Sequence, residues 1–132
     1  MTLKHKIIFG QKLGLSPAQA SFLARLGSPE KIQDFLTEKI RINFEPGGDT
    51  VLSAAEALRQ GHAHCIEAAF IAAAALWMQG EKPLLMDLRA SKHDDDHVVA
   101  LFRRGGCWGA ISMFPSRSRW SLASTASSAR CR

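Results

Sequence analysis

Several things that mark particular protein classes are missing from this chain. Three cysteines (Cys65, Cys107, Cys131) make an odd, sparse count with no CxxC pair, so reduced thiols and a cytoplasmic location are the expectation. The longest stretch without a polar side chain runs from Ala68 to Met78, eleven residues, too short to span a bilayer. The opening MTLKHKIIFGQKLG has neither an apolar signal core nor a small-residue cleavage site. Residues 113–132 hold four arginines and no acid, so four of the five net positive charges sit there. The remaining 112 residues carry only +1. They contain no Lys/Arg stripe interleaved with aromatics, so neither a nucleic-acid nor a membrane partner is expected. What is present, 46% hydrophobic and 22% charged residues, is an ordinary globular mixture. At 132 residues it amounts to one domain with a real core, not a coiled coil or a fibre.

Residues 1–15 read as a loosely patterned lead-in. Ser16-Pro17 is an N-cap followed by proline at the first helical position, and Gly27 closes that helix. Ser28-Pro29 repeats the device, and Ile32, Phe35, Leu36 and Ile40 form one apolar helical face. The PGG at 46–48 is a turn. Ser53-Ala-Ala-Glu56 has the capping-box pattern and opens a short helix ending by Gly61. Residues 65–79 then favour helix throughout, with Gly80 as the stop. Apart from Glu67 this helix is apolar on every face, the mark of a helix buried between layers, and Phe70 and Trp77 are expected in the core. After Gly80 the period changes to two. Residues 83–89 and 97–104 read as strands, and Gly105-Gly106 is a hairpin turn leading to a return strand over 107–112. The expected fold is α+β: N-terminal helices, then a long buried helix with Cys65 at its start, packed on an antiparallel sheet. Residues 1–112 form the domain. Residues 113–132, with six serines and no clear period, read as a disordered tail or as an unrelated continuation of a domain cut short.

Cys65 carries the candidate chemistry. At a helix N-terminus, unpaired N–H groups and the positive end of the dipole favour a thiolate. The same N–H groups can bind the oxyanion formed when sulfur attacks a carbonyl. His97, opening a strand after the polar loop at residues 90–96, is the candidate base, and a third group would orient its imidazole. With Gly105-Gly106 as the turn, paired positions sum to 211. The orienting residue should therefore come from about 112–114. Ser112, Met113 and Phe114 stand there, none of them an acid.

The pattern Gly61-x-x-x-Cys65 at the start of an Ala-rich helix, then a strand opening with His97, then a hairpin to a strand with Trp108, resembles the transglutaminase-like superfamily. The resemblance spans roughly 61–112 and lies in order and spacing. It implies a papain-type fold and cysteine-dependent acyl transfer on peptide or protein amide bonds, by hydrolysis or transamidation, with no cofactor. Cys65 matches the nucleophile, His97 the histidine, and Ser112 the position of the usual acid. Gln60 is the candidate second oxyanion donor. Losing the orienting acid of a serine triad costs about 10⁴ in rate, so activity is expected to be impaired. Asp87 on the neighbouring strand is the first substitute, ahead of Asp94, Asp95 and Asp96. A catalytically inactive binding module is the alternative.

Blander readings stand beside these. A cysteine on an apolar helix is commonly a small buried hydrophobe. The run Asp94–Asp96 is commonly a solvated loop. His62, His64 and Cys65, or His93, the three aspartates and His97, offer metal ligands; neither has the spacing of a known metal motif, so no metal ligand is assigned and a metal-binding protein stands as the third reading, behind the enzyme and the inactive module.

Overall fold

Serine opens three of the helices by the same local device. The structure, a computed structural model, describes residues 2–42, 53–88 and 97–112, excepting the side chains at 41, 42, 65, 87, 88 and 97. The helix α2 (Pro17–Ala24) starts at Ser16, whose hydroxyl accepts from the Gln19 N–H at 3.1 Å while the Gln19 side chain accepts from the Ser16 N–H at 3.0 Å. Both orphan donors of the first turn are thereby satisfied. Ser28 caps α3 (Pro29–Lys39) and Ser53 caps α4 (Ala54–Gln60) through single bonds to Lys31 and Glu56 N–H. In α4 the Glu56 carboxylate turns to Arg59 and Gln60, so the expected capping box is only half made.

The N-terminal lead-in is in fact a helix, α1 (Leu3–Lys12), capped by Thr2. Its sequence shows no apolar stripe because its one fully buried residue is Gly10. A Cβ there would sit 2.7 Å from Met78 Cε and 3.0 Å from Ala20 Cβ, so the glycine lets three helices approach closely. The second helix ends at Ala24 with Arg25 as its cap, ahead of Gly27.

Helix α5 (Cys65–Met78) runs through the middle of the chain's core. Ala68, Ala69, Ile71, Ala72, Ala75, Leu76 and Met78 have no more than 1% exposure, which makes it the buried helix its composition predicts. Phe70 and Trp77 depart from that expectation. Trp77 is 40% exposed and both line a surface groove of about 250 Å³ with Leu13, Pro83 and Leu85. At its C-terminal end, Gln79 donates to the carbonyl of Leu26 at 3.0 Å and accepts from Lys6 Nζ at 2.6 Å, tying α5 to the first two helices.

Strands β3 (Leu84–Leu88), β4 (His97–Arg104) and β5 (Cys107–Ile111) form an antiparallel sheet in that order. The turn between β4 and β5 needs positive φ at both Gly105 (60°) and Gly106 (81°), which glycine adopts without strain. Observed pairs run from Arg104↔Cys107 to Ala100↔Ile111, the predicted register. Ala100, Phe102 and Ile111 join the core, so α5 packs on their face of the sheet. Phe102 lies over Gly109 of β5. Two strands escaped the sequence reading. In β1 (Arg41–Ile42) and β2 (His62–Ala63) the pairing is parallel, Arg41↔His62 and Ile42↔Ala63. Two residues are too few to show a period. The architecture is a mixed α+β one. Among the described residues no helix is long and apolar enough to cross a membrane. The expected turn at 46–48, the acidic loop and the 113–132 tail lie outside the described residues.

Candidate functional site at the start of the central helix

Cys65 is the first residue of α5, with His64 as the N-cap in extended conformation. The chain enters this point from β2, pinned by β1 at the end of α3. Glu67, wholly buried, accepts a hydrogen bond from the His64 N–H at 2.8 Å. A carboxylate in the first turn complements the helix dipole and fixes the backbone that presents Cys65. The sequence carried a signal for this role, a glutamate three residues after the N-cap, which the apolar character of the helix obscured.

His97 is the first residue of β4 and pairs with Leu88. Two sets of contacts show which end of α5 it shares. A cleft of about 440 Å³ is lined by Gly80, Glu81, Lys82, Leu101, Arg103 and Trp108, among others, so the C-terminal end of α5 sits at the 101–103 end of β4. At the other end, Gln33 of α3 bonds to Ser112 just past β5, and α3 leads into β1 and so to the strand preceding Cys65. Helix α5 and strand β4 pack together. Fourteen helical residues rise about 21 Å and the six steps from 97 to 103 about 20 Å, so the two elements match in length. Cys65 and His97 thus stand at the same end of the molecule, each opening its own element.

The register also places the other candidates along the backbone. Continuing the observed pairs sets Ser112 across from Val99. Asp87 pairs with Val98, and Leu88 with His97. Ser112 is 1% exposed, and its hydroxyl has no hydrogen-bond partner. Its backbone is held instead. The Gln33 side chain donates to the Ser112 carbonyl at 2.7 Å and accepts from the Ser112 N–H at 3.1 Å. Gln33 was not legible as a site residue, because its partner is 79 positions away.

Gln60, the candidate second oxyanion donor, is exposed and its amide donates to Glu56 at 2.9 Å. His62 Nδ1 and His64 Nε2 are buried without partners. Among the described residues no group of three His, Cys, Asp or Glu is arranged to hold a metal ion. Asp94, Asp95, Asp96 and His93 lie outside them. Trp108 is 53% exposed, with the Arg103 guanidinium 4.8 Å from its ring centroid. Cys107 is disulfide-bonded, which corrects the expectation that all thiols are reduced. Comparison with protein-family models and with curated proteins finds no match for this chain.

Proposed function

We propose that this chain is a small papain-type, transglutaminase-like domain in which Cys65, paired with His97, transfers acyl groups from peptide or protein amides. The observation that carries the reading is the shared end: a cysteine opening the buried helix and a histidine opening the strand against which that helix packs. The Cys65 thiolate attacks the amide carbonyl carbon, and the electron pair moves onto oxygen. The backbone N–H of Cys65 donates to that oxyanion. His97, holding the thiol proton, passes it to the leaving amine as the C–N bond breaks and a thioester remains. Water then attacks with His97 taking its proton, the C–S bond breaks, and the acid is released with the thiol restored. An amine in place of water gives transamidation. The expected result is turnover of peptide amides or glutamine donors that Cys65→Ala abolishes.

A second reading rests on Ser112. With a hydroxyl where a triad carries its acid, the same fold would serve as a peptide-binding module without turnover. Absence of turnover of peptide amides and glutamine donors, with peptide binding retained in Cys65→Ala, would establish that reading over the first.

A further inference from the structure

We propose that the outer edge of β3 is a docking site for an extended peptide of another protein, added as a further strand, with a large apolar side chain next to an acidic one. The surface lies at the end of α5 away from Cys65, and the inference is independent of the chemistry proposed there.

Three observations converge on it. First, among the described residues β3 pairs with β4 alone, so its outer edge has no strand partner. Edge strands normally carry a charge, a proline or a bulge that blocks pairing. Lys82 and Pro83 stand just before β3, but Leu84, Leu85 and Met86 follow uncharged, at 39%, 43% and 39% exposure. Secondly, a depression lies on each side of this edge, and consecutive residues of β3 line one each. Leu85, paired with the core residue Ala100, lines the groove of about 250 Å³ beside α5, with Phe70, Ala73 and Trp77 and no charged side chain. Leu84, paired with Leu101, lines the cleft of about 440 Å³ together with Leu101 and Trp108. Consecutive strand residues point to opposite faces, and paired residues share a face. A peptide residue across from Leu85 therefore enters the groove, and its neighbour across from Leu84 enters the cleft. Thirdly, the cleft is cationic: Lys82 and Arg103 line it against one acid, Glu81. Among the described residues neither cation is in an ion pair. Arg103 lies over the Trp108 ring and donates to the Gly106 carbonyl at 3.2 Å. An acidic side chain complements this cleft, and the groove takes an apolar one. Main-chain hydrogen bonds to β3 supply the affinity and the two depressions the selectivity.

The test is a titration of a labelled, end-capped peptide of alternating Glu and Leu with the full chain, read by fluorescence anisotropy. Saturable binding in the micromolar range is expected, and Cys65→Ala binds equally, because the surface does not include Cys65. Leu85→Lys, which puts a charge on the groove, weakens binding about tenfold or more. Methylating every backbone nitrogen of the peptide, which keeps its side chains but removes the ladder donors, does the same. Lys82→Glu weakens binding about three- to tenfold, and by less at high salt. A peptide of alternating Lys and Leu reverses that order, binding Lys82→Glu better than the parent protein. Circular dichroism checks that Leu85→Lys is folded; should it not fold, the methylated peptide and Lys82→Glu decide. No saturable binding, or binding that ignores the methylation and both substitutions, overturns the inference. So does a dimer of the full chain in sedimentation that Leu85→Lys dissociates while the peptide stays unbound, since the edge then belongs to a second copy.

Discussion

Adding one methyl group at Gly109 tests the packing of the sheet that carries His97. A Cβ at this position would lie 2.2 Å from Phe102 Cζ, and 2.6 and 2.7 Å from the two Cε atoms. Carbon atoms in contact prefer about 3.5–4.0 Å, so the ring must move by more than an ångström. It has little room, because Phe102 is 1% exposed and belongs to the core against which α5 packs. Overpacking of this kind costs about 1–3 kcal/mol. Replacing glycine restricts the unfolded chain and returns about 0.4–1 kcal/mol. The expected net loss is about 1–2 kcal/mol. With a urea slope of about 1–3 kcal/mol/M for a small protein, the midpoint should fall by roughly 1 M. The control is the same change in a Phe102→Leu background. That variant is itself less stable, but the clashing ring is gone, so Gly109→Ala should there be neutral or slightly stabilising. An equal cost in both backgrounds, or stabilisation in the parent protein, would refute the reasoning.

Gly10→Ala should cost less than Gly109→Ala, because the nearest clash, at 2.7 Å, is with the flexible end of Met78 and alanine gains about 1 kcal/mol of helix propensity; urea midpoints of the two variants rank them. Gln79→Leu strips the Leu26 carbonyl and Lys6 of partners and should destabilise by about 1–2 kcal/mol, measured the same way. The Arg104 guanidinium holds the Glu30 carboxyl down from 4.5 to about 2. The stability this supplies is present above pH 4.5 and is lost as pH falls through 2. Both side chains are nearly half exposed, so the effect is small. Glu30→Gln should remove that part of the acid sensitivity, seen in melting temperatures between pH 5 and 2.

Where structure is set by neighbouring residues, the sequence was readable. The serine caps of α2, α3 and α4, the helix from Cys65, and the β4–β5 turn with its pairing all follow from local chemistry. Helix α1 was hidden because it meets the core through a glycine, leaving no apolar stripe to see. Strands β1 and β2 were hidden by length. That Cys65 opens α5 and His97 opens β4 was visible because helix starts and strand starts are local features. Ser112 followed from counting across the turn. Asp87 lies on the strand neighbouring His97, as its place in the alternating run implies. Gln33 could not be seen at all, because nothing in α3 announces that one of its amides will serve as a strand partner for the far end of the chain.

An activated sulfur at Cys65 is what acyl transfer requires, and the rate of its alkylation as a function of pH measures that directly. An inflexion well below the free-thiol value of about 8.5, moving up towards that value in His97→Ala, is the predicted result. An inflexion at or above 8.5 that ignores the substitution would contradict the pairing of Cys65 with His97.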